Sequence, residues 1–341
     1  MGESPEPCEV EKHILLSIVV ISRNEEDNIS RCIESVLQDT SEIHSREIIL
    51  VDSSSEDQTV RIAMSYPIKI FQLQPSSSMS PALGRSVGTR LAKGEYIFFI
   101  DGDMELKPGW LESALNRISQ DDMIAGISGR VRDLYIESNE ITKEVKDRTH
   151  VGNKEGMSRG FGGCALYRRS ALDRAGGFNA YIRIEEELDL ALRIRNKGYY
   201  LWKLPLDMAN HYTPHRGRFF EIKNTIRLAQ CTGIGQVFRS AYENNCLWLC
   251  TRHAFRTFDF YVYIIGSAIM LSFGYYNKAY FDLWLAVTIL CFVLLAIKKG
   301  SIGEAFSSLV EKICLGLTFP RDFLKRTRQP WDVNHNFTQM K

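Results

Sequence analysis

The first two hundred residues alternate apolar runs of strand length with segments of helical period. Leu15 to Ile21 is a mostly apolar run ending in Ser22-Arg23-Asn24-Glu25. From Asp27 to Gln38, Ile29, Cys32, Ile33, Val36 and Leu37 recur at the spacing of one helix face. Glu47 to Val51 is a second strand with Asp52 at its carboxyl end, and Ser53 to Asp57 is a turn able to cap a helix over about 57–65. Ile68 to Leu73 is a third strand. After a Ser/Pro-rich loop at 75–81, Ala82 to Lys93 reads as a helix feeding a strand at Tyr96-Ile97-Phe98-Phe99-Ile100.

Pro108 to Ser119 is a helix with proline at its start, and Ile124 to Tyr135 a strand. Residues 137–159 are polar and weakly periodic, the pattern of a long mobile excursion or lid. A glycine pair, Gly162-Gly163, leads into a short strand, and Leu172 to Gly177 is a helix stopped by two glycines. Glu185 to Lys197 is a helix ended by Gly198. Tyr199 to Leu204 is a strand, with His211 and His215 beyond it. Strands alternating with short helices predict an α/β fold with a mostly parallel, Rossmann-like sheet.

After about residue 230 the pattern changes. Phe260 to Tyr276, and Phe281 to Ile297 apart from Asp282, are apolar and joined by Asn277-Lys278-Ala279-Tyr280. A membrane-spanning helix needs ~17–25 mostly apolar residues. The two segments predict a transmembrane helical hairpin over 258–297, or else a buried hairpin in a soluble core. Arg252, His253 and Arg256 precede it and Lys298 and Lys299 follow it, which sets both outer ends on the cytoplasmic side. The divisions expected are a loose tail at 1–13, a catalytic domain at 14–230, linking or interfacial helices at 231–257, the hairpin, and a basic tail at 298–341. Within that tail, 304–319 could lie in the membrane interface.

Composition narrows the class without choosing the chemistry. The chain has 341 residues, 45% hydrophobic and 24% charged, with a net charge of +1. That is a globular balance with no basic stripe, which argues against a nucleic-acid partner. Eight scattered cysteines, with only Cys246 and Cys250 close together, fit reduced thiols facing a cytosol rather than a zinc site. The N-terminus has neither the basic start nor the apolar run of a signal peptide.

Three acidic features carry the candidate chemistry. Asp101-Gly102-Asp103 follows the 96–100 strand, where open α/β sheets bind ligands; its carboxylates suit Mg²⁺ or Mn²⁺ shared with substrate phosphates, although a solvated Asp-Gly turn has the same sequence. Asp52 ends another strand, as a nucleoside-binding carboxylate or a turn residue. Glu185-Glu186-Glu187 opens a helix, where a glutamate could serve as general base, and where the macrodipole alone also favours acid. His211 and His215 are candidate metal ligands or structural imidazoles. No glycine-rich phosphate loop follows the first strand, which argues against a nicotinamide dehydrogenase and a sugar-nucleotide-forming nucleotidyltransferase.

Together these motifs resemble the family 2 glycosyltransferases of the GT-A fold. Ser17 to Glu25 is similar to that family's first strand and nucleotide loop. Glu47 to Asp57 resembles its second, and Gly84-Arg85-Ser86-Val87-Gly88 through Tyr96 the segment before the D-x-D at 101–103. Gly162 to Arg168 resembles the strand bordering sugar and acceptor, Glu186 to Arg193 the E-D-x-D-L-x-x-R helix, and His211 a metal-binding histidine. Ser86 stands where Asn is usual, and Glu187 where Asp is usual. Gln236-Val237-Phe238-Arg239 is followed by Ser240 rather than the Trp of processive synthases.

The resemblance implies an inverting, single-addition glycosyltransferase. Its nucleotide-sugar donor, a UDP-sugar in preference to a GDP-sugar, would be held by Ser22, Asn24, Glu25, Asp52, Arg85 and Asp101. Mg²⁺ or Mn²⁺ would sit on Asp103, Asp101 and His211. Glu187 would be the base, with Glu186 at sugar or acceptor hydroxyls. The acceptor would be a saccharide or lipid-linked, met at the cytoplasmic face of the cytoplasmic membrane. A catalytically silent nucleotide-sugar binding protein is the alternative from another class.

Overall fold

The computed structural model describes residues 15–75, 79–137, 140–214, 233–325 and 337–341. The N-terminal half runs β1 (Leu16–Ser22), α1 (Ile29–Asp39), β2 (Arg46–Asp52), α2 (Thr59–Ala63), β3 (Lys69–Leu73), α3 (Pro81–Leu91) and β4 (Tyr96–Asp101). Then come β5 (Met104–Leu106), α4 (Trp110–Ser119), β6 (Ile124–Glu137), β7 (Glu140–Val145), β8 (Gly156–Ser158) and β9 (Ala165–Arg168). Next are α5 (Arg169–Ala175), α6 (Glu186–Asn196) and β10 (Tyr200–Pro214). The C-terminal part holds α7 (Ile234–Glu243), α8 (Thr251–Tyr276), α9 (Lys278–Lys299), α10 (Ile302–Leu324) and β11 (Phe337–Gln339).

One mixed sheet organises the molecule, in the order β11-β3-β2-β1-β4-β9-β6-β10-β5, with β7 on β6 and β8 on β10. The β1, β2, β3 and β4 pairings are parallel, as the alternating pattern predicts. Their side chains are buried on both faces, which is why these strands read as unbroken apolar runs. One core layer packs α1 and α4 against the sheet, through Ile33, Val36, Phe98 and Trp110. The other packs α3, α5 and α6 against it, through Val87, Leu172 and Leu190.

Several expectations change. The sheet is less parallel than the pattern implied, because β9, β5, β7, β8 and β11 all pair antiparallel. The 137–159 segment is not an irregular lid. It pairs β7 back onto β6 and β8 onto β10, and Asp147 accepts the backbone N–H groups of Val151 and Gly152 to close the turn between them. Short strands with charged outward faces carry too few apolar residues to show a period. The strand expected at 199–204 runs on to Pro214, so His211 lies within it. The tail at 298–341 does not simply trail away: β11 adds to the open edge of β3, with Phe337 edge-on to Phe71.

In the C-terminal part, α8 and α9 form a helical hairpin hinged at Asn277, whose side chain caps α9 by accepting from the Ala279 N–H. Among the described residues, Lys278–Lys299 alone is long and apolar enough to cross a membrane, with a mean hydropathy of 2.3 and no buried residue; Phe260–Tyr276 of α8 is a shorter apolar stretch.

Candidate functional site

The site forms where the parallel strands end. Register sets Ser22 beside Asp52 and Ile21 beside Asp101, so the carboxyl ends of β1, β2 and β4 share one edge. A cavity of about 290 Å³ opens there, lined by Ser22, Arg23, Glu25, Ser53, Asp101 and Asp103 among others. This is the crevice at which open α/β sheets bind ligands.

Asp52 stands behind the cavity wall. It is fully buried, and its carboxylate accepts from Ser22 Oγ (3.2 Å), the Ser55 N–H (2.8 Å), Gln72 Nε2 (3.1 Å) and Ser55 Oγ. These bonds brace the β1 and β2 loops against each other. Asn24 has a left-handed backbone (φ 56°), a conformation Asn tolerates. Its N–H donates to Ser55 Oγ and its Oδ1 accepts from the Glu56 N–H, locking the β1 loop to the β2 loop. Burial pushes the Glu25 carboxyl up to about 7, with Asp103 and Asp101 adding to the rise and Asn28 opposing it.

On the other side of the cavity, strand pairing brings the candidate metal ligands together. β10 runs antiparallel to β5 with His211 opposite Met104, and the Tyr212 N–H donates to the Asp103 carbonyl. Asp103 Oδ2 then lies 3.0 Å from His211 Nε2. On the far side of the ring, Asp133 of β6, the register neighbour of His211, meets Nδ1 at 2.7 Å. Arg148 reaches both Asp133 (3.3 Å) and His211 Nδ1 (2.9 Å). Burial works against the imidazolium, but Asp103 and Asp133 outweigh it and hold His211 up at about 9.

Asp133 and Arg148 are functional candidates that the sequence reading missed. Asp133 sits inside a strand recognised by its apolar residues, and no local spacing ties it to His211. His215 lies outside the described residues.

The donor set fits a divalent cation. Asp103 Oδ1 is buried and has no hydrogen-bond partner, and Asp103 and His211 offer oxygen and nitrogen to one point. An Asp–His pair backed by a second carboxylate is how proteins orient a ligating imidazole. Among the described residues no third His, Cys, Asp or Glu completes a cluster with them. Asp101 lines the same cavity, with its Oδ1 held by Arg85 Nη2 at 2.8 Å. Further coordination positions would fall to water and substrate oxygens.

Arg85, expected at the nucleotide, instead lies among carboxylates. Its buried guanidinium contacts Asp101, Glu186 (2.6 Å) and Glu187 (3.4 Å). Burial opposes its charge, and the three carboxylates more than compensate, raising its pKa further. Glu185 precedes α6 with φ 64°, an uncommon conformation for a glutamate, and turns the first helical residues back toward Arg85. Burial and the neighbouring Glu187 push Glu186 up to about 8 against the pull of Arg85. Glu187 is the more open of the two, with 20% of its side chain exposed against 6%.

Residues 17–176 match the model of glycosyl transferase family 2. That segment is a family 2 glycosyltransferase domain. An uncharacterized glycosyltransferase of Haemophilus influenzae is 24% identical over 53% of this chain and 62% of its own length. A poly(ribitol-phosphate) beta-glucosyltransferase of Bacillus spizizenii is 36% identical over 26% of this chain and 14% of its own. The crystal structure of GalNAc-T7 with UDP, GalNAc and Mn²⁺ shares the fold: TM-score 0.55 at 15% identity, over 73% of this chain and 58% of that one. The fold is therefore that of the GT-A architecture, and the chain spans less than two thirds of the length of these relatives.

Proposed function

We propose that this chain moves a sugar from a nucleotide-sugar to a hydroxyl of a saccharide or lipid-linked acceptor, with inversion at the anomeric carbon, at the cytoplasmic face of a membrane. The observation that carries this reading is Asp103: one oxygen meets His211, the other is buried and unpaired, and the side chain faces the strand-end cavity. The structurally similar GalNAc-T7 was crystallised with UDP and Mn²⁺, which favours a UDP-sugar and Mn²⁺ here over a GDP-sugar and Mg²⁺.

In this reading Ser22, Arg23 and Glu25 line the donor pocket, and Asn24 and Asp52 fix its loops. Asp103 and His211 hold the metal ion, which when bound supplies charge neutralisation for the departing diphosphate. Glu187 accepts the proton of the incoming hydroxyl, because its partial exposure lets an acceptor approach. Glu186, buried against Arg85, contributes shape and a polar contact near the sugar. Arg85 fixes the separation between the base and the Asp101-Gly102-Asp103 turn, and that separation governs attack opposite the leaving group. The apolar hairpin, with cationic residues at both outer ends, supports the membrane placement.

The test screens UDP- and GDP-sugars for thermal stabilisation in Mn²⁺, then follows nucleoside diphosphate release with saccharide and membrane-lipid acceptors. Release only in the presence of acceptor, with an inverted anomeric centre by NMR, supports the proposal. Donor binding without release marks a silent binding protein, and pyrophosphate turnover marks a nucleotidyltransferase.

A further inference from the structure

Helix α10 has three faces, and one of them is unaccounted for. Ala305, Gly316, Phe319 and Asp322 are buried against the protein. Glu304 and Glu311 fall on a polar side. Opposite them, Ile302, Phe306, Leu309, Ile313, Leu317 and Leu324 follow one another at intervals of four, three, four, four and seven residues, and all are exposed, Ile302 at 71% and Leu317 at 68%. That spacing draws a single apolar stripe along the helix.

The hairpin shows what level this stripe occupies. Trp284 Nε1 donates to Ser267 Oγ at 3.0 Å, and the Tyr263 hydroxyl meets Thr288 Oγ1 at 3.3 Å. Both pairs give one antiparallel register, which sets Lys299 near the start of α8. α10 leaves the hairpin from that lower, charged end. It meets the hairpin again at Gly316, where a β-carbon would stand 2.1 Å from the Phe260 ring and where Tyr261 donates to the carbonyl. From Ile302 to Gly316 the helix advances about 21 Å along its own axis, yet it rises only about 12 Å along α8. It crosses the hairpin base obliquely and does not run beside it as a third span.

We propose that α10 lies in the headgroup-to-acyl boundary of a lipid bilayer, its apolar stripe inserted and Glu304 and Glu311 facing water. The inference rests on the membrane reading of the hairpin given above. It commits to lipid because the stripe continues the exposed apolar surface of α9, and because Lys298, Lys299 and Lys325 flank it with charge suited to anionic headgroups. The consequence reaches the active site. Phe319 packs edge-on to Phe238 of α7 at 5.4 Å, and Phe238 shares a cluster with Ile182, Leu188 and Leu192 beneath α6. Gln236 of α7 also donates to the Lys325 carbonyl at 3.1 Å. One layer of side chains therefore separates a membrane-lying helix from the helix that carries Glu186 and Glu187.

The experiment uses the full chain in vesicles of phosphatidylethanolamine and phosphatidylglycerol, with native cysteines outside the core replaced by serine. Spin labels are placed singly through Phe306→Cys, Leu309→Cys, Ile313→Cys, Leu317→Cys and, as hairpin reference, Ile289→Cys. Accessibility to oxygen and to a water-soluble nickel chelate reports depth. The four α10 labels are expected within about 10 Å of the headgroups, with Ile289→Cys deeper. Labels on α10 in water while position 289 is deep overturn the inference and leave the hairpin reading standing. Depth that increases past the bilayer centre from 306 to 317 makes α10 a third span and also overturns it. Position 289 in water overturns both.

Discussion

Arg85 occupies the space that Gly163 leaves empty. A β-carbon built on residue 163 would stand 2.1 Å from Arg85 Nη2 and 2.6 Å from Asp101 Oδ2. The Gly162-Gly163 pair, expected as a border of the sugar and acceptor region, thus makes room for the cation that ties Asp101 to Glu186 and Glu187. Gly163→Ala is expected to displace the guanidinium and lower kcat/KM by roughly a hundredfold, the scale of a 1 Å misplacement at a reacting centre. Because the displaced guanidinium is buried among three carboxylates, Tm should fall as well, and kcat/KM is compared at a temperature where circular dichroism shows the variant folded. Unchanged kcat/KM would separate Arg85 from catalysis.

Asp133 positions His211 and touches no substrate in the proposed reaction. Asp133→Asn keeps the shape but weakens the hold on Nδ1. Mn²⁺ affinity, read by electron paramagnetic resonance of free Mn²⁺, should fall by roughly 10–100-fold. Arg148→Ala should do less, because Arg148 is half exposed and its contacts are screened.

The proton on His211 competes with a metal ion. In the metal-free protein its pKa is raised to about 9, so the ring is protonated at neutral pH. Metal binding must therefore release a proton at pH 7, measurable from the buffer dependence of the calorimetric heat, and affinity should climb between pH 7 and 9 and level off above. The same shift has a sign for stability. The His211⁺ contribution is full below its unfolded value near 6.5 and is lost as pH rises through 9, so the metal-free Tm should decline over that window. A metal affinity flat from pH 7 to 9 would contradict the assignment.

Asp52→Ala removes an acceptor that holds two loops and leaves Ser22, Ser55 and Gln72 without it. The expected result is a destabilisation of about 1–3 kcal/mol by chemical denaturation, together with a raised KM for the donor at little-changed kcat. A large fall in kcat with KM unchanged would place Asp52 in the chemistry instead.

The parts of this molecule that were legible in the sequence are those whose determinants are local. β1, β2, β3 and β4 announce themselves because both faces are buried, and α6 because Gly198 and its acidic first turn mark its ends. The carboxylates at 101, 103, 186 and 187 stand at element ends, where sequence position implies exposure to a crevice. What could not be read depends on pairing. The partnership of Asp133 with His211 follows from the β6–β10 register across a long separation, and the β11 strand from an edge on β3 that is visible only when the sheet is assembled. The resemblance sets Arg85 at the nucleotide, whereas its pairing with Asp101, Glu186 and Glu187 follows from the meeting of α3, β4 and α6 and leaves no local signal. The 137–159 segment reads as a lid because its strands are short and polar.

Glu187 is the base in the proposed transfer reaction, and Glu187→Gln tests that role most directly. The variant keeps size and polarity and removes the ability to take a proton. Donor binding in Mn²⁺, measured by thermal shift or calorimetry, should stay within a few-fold of the parent, while acceptor-dependent release of nucleoside diphosphate falls by roughly 10²–10⁴-fold. Release at the parent rate with donor binding intact would contradict the claim and leave the carboxylates of α6 as structural partners of Arg85.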